Sequence, residues 1–262
     1  MTLAVVIKGS EGLVLAAESR LTLTVPRGKD VDRVTYDNAT KVLEFAAPHH
    51  HVAAVTFGRG TVDGVRTAAS LMPEFEAGLP PERLPVMAMA EEIQQFFGSH
   101  LEPDPTNGAP MSFMVAGFDE GQAYGRVLQI ELGRTVTPLE YLPGEDFGPE
   151  WRGQVAIVDR LFRGFDPRLP ELVGRHLDLD PRGMKDLRAA VEILDLPVPW
   201  QAISLQDCVD LALLGISATI ECQALWAAPR ECGGPIDVAV ITRGAGIRFL
   251  RRKHLQADRR AR

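Results

Sequence analysis

The order of apolar segments predicts an α+β fold with helix pairs outside two stacked sheets, a four-layer αββα sandwich. Three observations support it. The chain opens on two short apolar runs joined by a glycine-bounded turn. Amphipathic helical stretches then alternate with further strand-like runs. Apolar runs at 236–241 and 247–250 finally return the chain to a sheet.

The first run, Thr2-Leu3-Ala4-Val5-Val6-Ile7-Lys8, turns at Gly9-Ser10-Glu11-Gly12 and comes back as 13–20. With Gly9 to Gly12 as the loop, Lys8 faces Leu13, and Thr2 falls opposite Ser19 between Glu18 and Arg20. Strands follow at 39–45 and 52–58. Thr61 can cap a helix carrying Val62, Val65, Ala69 and Met72 on one face and ending at Pro73. A second helix starts at Pro85, places Val86, Met89, Ile93 and Phe96 or Phe97 at helical spacing, and fades after Gly98. Residues 102–108 read as a loop, and 111–118 with 123–132 as a hairpin across Glu120-Gly121.

Residues 154–165 read as a helix, 167–183 as irregular, and 183–195 as another short helix closed by Pro197 and Pro199. Ser204 opens the longest helix, with Val209, Leu213, Ile216 and Ile220 on its apolar stripe. No internal repeat is evident. A chain of 262 residues, 45% hydrophobic and 24% charged, can bury one large core. One domain is therefore expected over 1–250, with an elaboration near 165–203 and a basic tail at 251–262.

Thr2 has the richest chemistry. Removal of Met1 would leave it with a hydroxyl nucleophile and a free α-amine, whose ordinary pKa of roughly 7.7–8.0 suits it to accept the hydroxyl proton. The hairpin register sets Glu18 and Arg20 near that amine, where they can orient it and set its protonation. An ordinary hairpin ending in a solvated Glu/Arg pair fits the same spacing.

Thr2, the segment Gly-Leu-Val-Leu-Ala-Ala-Glu-Ser-Arg at 12–20, and Lys41 within Ala39-Thr40-Lys41-Val42-Leu43-Glu44-Phe45 together resemble the start of proteasome β-subunits. The next strand, 52–58, leads to a helix as in that family, and weaker similarity continues through 113–119 and 235–242. The resemblance is to the N-terminal nucleophile (Ntn) hydrolases, nearest to the bacterial proteasome-like proteins. It implies a threonine-type peptidase. Thr2 would be the nucleophile with its own amine as base, and Glu18 would stand where the family has Asp. Arg20 would match the basic residue two positions on. Lys41 would be the buried lysine that lowers the hydroxyl pKa, and the Gly58 N–H would be the oxyanion donor.

The resemblance also implies a peptide or unfolded polypeptide substrate, a homo-oligomeric ring and an ATPase unfoldase partner, with no cofactor or metal. Three departures stand out. Glu18 is one methylene longer than Asp, and the family's Gly-Ser-Gly loop is replaced by Phe147–Gln154. The supporting Asp–Ser pair is also missing near 229–234, where Glu231 and Cys232 are the nearest candidates and take no assigned role. That gap keeps two alternatives open, a non-catalytic structural subunit and a small-amide amidase.

Other features exclude other classes. A net charge of −7 argues against a nucleic-acid binder. The basic residues of the tail, from Arg251 to Arg262, read as a solvated or disordered end. Cys208, Cys222 and Cys232 form no CxxC pair and read as free buried thiols. His49-His50-His51 reads as an exposed turn rather than a metal site. The acids Glu91-Glu92 and Asp178/Asp180 read as solvated faces. No long apolar span is present, and Lys8 interrupts the N-terminal run, so the expected location is the cytoplasm.

Overall fold

A computed structural model describes residues 2–27, 30–102, 110–134 and 136–254. The loop expected at 102–108 lies almost wholly outside them. Two five-stranded antiparallel sheets and one two-stranded hairpin carry the architecture. The first sheet contains β1 (Leu3–Lys8), β2 (Leu13–Glu18), β10 (Gly148–Gly153), β11 (Ile236–Thr242) and β12 (Gly246–Arg251), in the order β10-β1-β2-β11-β12. The second runs β5 (Val42–Glu44), β6 (Val52–Phe57), β7 (Ser112–Gly117), β8 (Arg126–Glu131) and β9 (Leu139–Tyr141) in sequence order.

The opening register is as expected. Lys8 pairs with Leu13 and Ala4 with Ala17, and Gly9 N donates to Gly12 O at 2.9 Å to close the turn. Every residue of β1 and β2 is buried, because both faces of this sheet are covered. Ala4, Val6, Leu13, Leu15 and Ala17 pack against Ala53, Val55 and Met114 of the second sheet. Leu3, Val5, Ile7, Val14 and Ala16 face the opposite way. They pack on α3 (Ala156–Phe162) and α6 (Leu205–Ala224). The outer face of the second sheet meets α1 (Ala68–Gly78) and α2 (Val86–Ser99), where Phe75, Phe96, Phe97 and Phe113 stack.

Lys8 is the buried exception in β1. Its Nζ donates to the carbonyls of Leu142 (2.6 Å) and Gly144 (2.7 Å), so a cation fixes the loop before β10. The α6 cap is also built as the sequence suggests. Ser204 and Asp207 bond each other's backbone N–H groups, and Val209 and Ile216 lie on the buried stripe.

Several expectations are corrected. The first helix begins at Ala68 rather than Thr61 and continues through Pro73 to Gly78. Asp63 Oδ1 accepts from the N–H groups of Val65 and Arg66, which forms a turn in place of a helical start, and Thr67 caps instead. Val65 is consequently exposed. The helix expected from 154 starts at Ala156, since 148–153 pair with β1. The segment read as irregular contains α4 (Leu169–His176), and α5 (Pro181–Val191) begins at an Asp180 cap. A hairpin of β3 (Leu21–Arg27) and β4 (Asp30–Tyr36), together with β9, had not been expected.

His49 and His51 are buried, not in an exposed turn, with their Nε2 atoms on the carbonyls of Pro80 (3.0 Å) and Leu84 (2.8 Å). The start of the basic tail is tied down as well. Arg251 lies in β12, Arg252 pairs with Glu44, and Lys253 pairs with the buried Asp237. The rest of the tail, 255–262, lies outside the described residues.

Candidate active site

The fold brings a hydroxyl, a carboxylate and an ammonium to one buried point. Thr2 precedes β1, Glu18 ends β2, and Lys41 immediately precedes β5 in the second sheet. Because the inner faces of the two sheets pack together, Lys41 reaches across the interface. Its Nζ donates to Thr2 Oγ1 at 2.5 Å and to Glu18 Oε1 at 2.6 Å. All three residues are at most 5% exposed.

The longer Glu18 side chain is accommodated. Its Oε2 accepts from the backbone N–H of Arg20 (2.6 Å) and Gly233 (3.2 Å), while Oε1 stays on Lys41. A buried ion pair without such extra bonds would cost more than it returns. Burial holds the Lys41 ammonium below its ordinary pKa, and the Glu18 carboxylate opposes that shift.

Arg20 lies close by but does not pair with Glu18 through its guanidinium. Nε and Nη2 donate to the two carboxylate oxygens of Asp37 at 2.6 and 2.8 Å, and Nη1 reaches the carbonyls of Arg230 and Cys232. Arg20 thus acts on Glu18 through its backbone and braces the 230–233 segment. Gly58, just after β6, adopts a φ of 83°, and a Cβ there would lie 2.3 Å from the Pro110 carbonyl oxygen. Thr2, Arg20, Lys41 and Gly58 line one solvent-open cleft.

Sequence reasoning missed the groups that hold Thr2 from behind. Gln154 N donates to the Thr2 carbonyl at 2.9 Å, and Gly153, at φ 91°, comes so close that a Cβ would sit 1.8 Å from that oxygen. Gln154 Nε2 donates to Glu231, and the buried Gln223 of α6 accepts from the N–H groups of both Glu231 and Cys232 at 2.8 Å. The Cys232 thiol is buried beside them. Burial and the nearby Glu18 charge push that thiol up to about 12, so it is neutral at the site. Asp37 carried no sequence signal, since it meets Arg20 only through the β3–β4 hairpin.

Among the described residues, no group of three or more His, Cys, Asp or Glu side chains could hold a metal ion. No helix described is long and apolar enough to cross a membrane. No family model matches the chain, and no curated protein matches it. Among solved structures, the Gly-1 mutant of Anbu from Hyphomicrobium sp. strain MC1 is similar in fold. The match has a TM-score of 0.53 and 16% identity, and covers 98% of this chain and 88% of that one. The likeness at this identity is one of fold.

Proposed function

We propose that the protein is a threonine-type peptidase of the bacterial proteasome-like branch, built as a four-layer αββα sandwich. It hydrolyses peptide bonds through Thr2 once Met1 is removed. The observation that carries this reading is the 2.5 Å contact from Lys41 Nζ to Thr2 Oγ1, with Glu18 on the same ammonium. A cation donating to the hydroxyl oxygen favours its deprotonated form and so lowers the barrier to attack.

In the proposed reaction the Thr2 hydroxyl proton passes to the freed α-amine as Oγ1 bonds to the scissile carbonyl carbon. The carbonyl electrons move onto oxygen, where the Gly58 N–H would stabilise the charge, a role worth about 3–4 kcal/mol in comparable sites. Collapse of that intermediate breaks the C–N bond, and the departing amine takes the proton from the ammonium of Thr2. Water then attacks the ester, gives its proton to the same amine, and releases the acid with Thr2 restored. Arg20 orients Glu18 and Glu18 holds Lys41. The protein would work in the cytoplasm as a homo-oligomeric ring, fed with peptide or unfolded polypeptide by an ATPase partner.

Two measurements test the reading. The intact mass of purified protein should show loss of Met1. The processed chain should hydrolyse fluorogenic peptides, and the Thr2→Ala variant should not. A chain that retains Met1 in full, or a Thr2→Ala variant as active as the parent, rules it out.

A further inference from the structure

We propose that the cleft beside Thr2 takes a carboxylate-bearing side chain from the acyl segment of its substrate, with Arg59 as the residue that selects it. The inference rests on the peptidase reading and adds to it a substrate class. It comes from the residues that line the cleft. Arg20, Lys41 and Arg59 are among them, and among the described residues no Asp or Glu is. Two of these cations are already neutralised, Lys41 by Glu18 and Arg20 by Asp37.

Arg59 differs. Its Nη1 donates to the backbone carbonyl of Glu102 at 2.7 Å, and among the described residues no carboxylate lies within ion-pair distance of it. The side chain is half-buried, so its charge acts through a medium less screening than open water. The segment that carries it is rigidly placed. Gly58 holds a left-handed φ, and Gly60 has Leu21 packed so closely that a Cβ would lie 2.1 Å from Leu21 Cδ1. A guanidinium held in advance by the Glu102 carbonyl loses little freedom when a carboxylate arrives.

The same lining includes Thr22, whose Oγ1 is buried with no hydrogen-bond partner among the described residues. An apolar side chain would find Phe57 and Met111 in the cleft, but it would shield Arg59 from water without giving it a counter-charge. A lysine or arginine side chain would meet a like charge. The acidic side chain alone satisfies the groups already there.

The test uses processed, full-length protein and three peptidyl epoxyketones that differ only in a Glu, Leu or Lys residue next to the reactive ketone. Rates of Thr2 adduct formation are read by intact mass. The Glu probe should react roughly tenfold faster than the Leu probe, with Lys slowest. The Glu/Leu ratio should fall toward one in Arg59→Gln, and Arg59→Glu should reverse the order of Glu and Lys. In the parent protein, about 0.5 M salt should shrink the Glu/Leu ratio, a readout that needs no variant to fold. A parent enzyme that prefers Leu or Lys overturns the inference, as does a Glu/Leu ratio unmoved by both salt and Arg59→Gln. Absence of reaction with all three probes removes the peptidase reading and this inference with it.

Discussion

Replacing Glu18 by Gln removes the carboxylate paired with Lys41 while keeping shape and volume. The amide must place its NH2 group either against the Lys41 ammonium or against the Arg20 and Gly233 N–H groups, so one donor meets another. Lys41, 5% exposed, then has no carboxylate partner among the described residues, only the Thr2 hydroxyl and, in the second orientation, a neutral amide oxygen. Removing one partner of a buried pair typically costs 3–5 kcal/mol, and the remaining hydroxyl contact puts this case near the lower end, about 3 kcal/mol. That is a large share of a stability of roughly 5–15 kcal/mol, but it leaves a folded chain to measure.

The pH dependence gives a second handle. Burial already holds Lys41 below its ordinary 10.5, and Glu18 is the largest influence raising it. Loss of Glu18 therefore lowers the Lys41 pKa further. A lysine with a folded pKa below its unfolded one binds fewer protons when folded. Stability then rises with pH between the two values, by at most about 1.4 kcal/mol per unit, and is fully regained only above 10.5. Urea unfolding followed by far-UV circular dichroism should show the Glu18→Gln penalty largest near neutrality and smaller near pH 10. A penalty below about 1 kcal/mol at neutrality, or one that is flat with pH, would refute the reasoning. The double variant Glu18→Leu with Lys41→Met should recover most of the loss, because an apolar pair needs no partner.

Further outcomes follow from the same geometry. Gly153→Ala would push a methyl into the Thr2 carbonyl at a φ that L residues avoid, so peptide hydrolysis should fall at least tenfold with a loss of about 2 kcal/mol in urea unfolding. Gly58→Ala should cost at least about 1 kcal/mol for the same reasons and depress turnover more than substrate binding, as kinetics with a fluorogenic peptide would show. Burial pushes the thiols of Cys208 and Cys232 up to about 11 and about 12, so iodoacetamide near pH 8 should modify the half-buried Cys222 first. Peptide mapping checks this, and early alkylation of Cys232 in the folded protein would contradict it.

The opening hairpin was legible because Gly9 and Gly12 bound a short loop and so set the register, which in turn placed Glu18 near Thr2. The approach of Lys41 could not be read from spacing, since it depends on two sheets packing face to face; only the family resemblance pointed to it. The β3–β4 hairpin carries readable alternation in Leu21-Thr22-Leu23-Thr24-Val25, yet its importance to the site lies in Asp37 returning to Arg20. The supports behind Thr2 left no local mark. Gln154 meets Glu231 across 77 residues, and Gln223 holds Glu231 and Cys232 from the far end of α6. The first helix was misplaced because Thr61 and Thr67 are both plausible caps, and the Asp63 turn decides between them. The helix α4 escaped because Pro167 and Pro170 suggest a loop, although proline is tolerated in a first helical turn.

The central claim is that Lys41 activates the Thr2 hydroxyl. Its most direct test is the rate of Thr2 modification by a peptidyl epoxyketone, mapped to the residue, in the processed parent chain and in Lys41→Ala. The account predicts an adduct on Thr2 in the parent and a rate lower by about 10²-fold or more in the variant. A processed parent that forms no adduct on Thr2, or a folded Lys41→Ala chain that reacts at the parent rate, would contradict it.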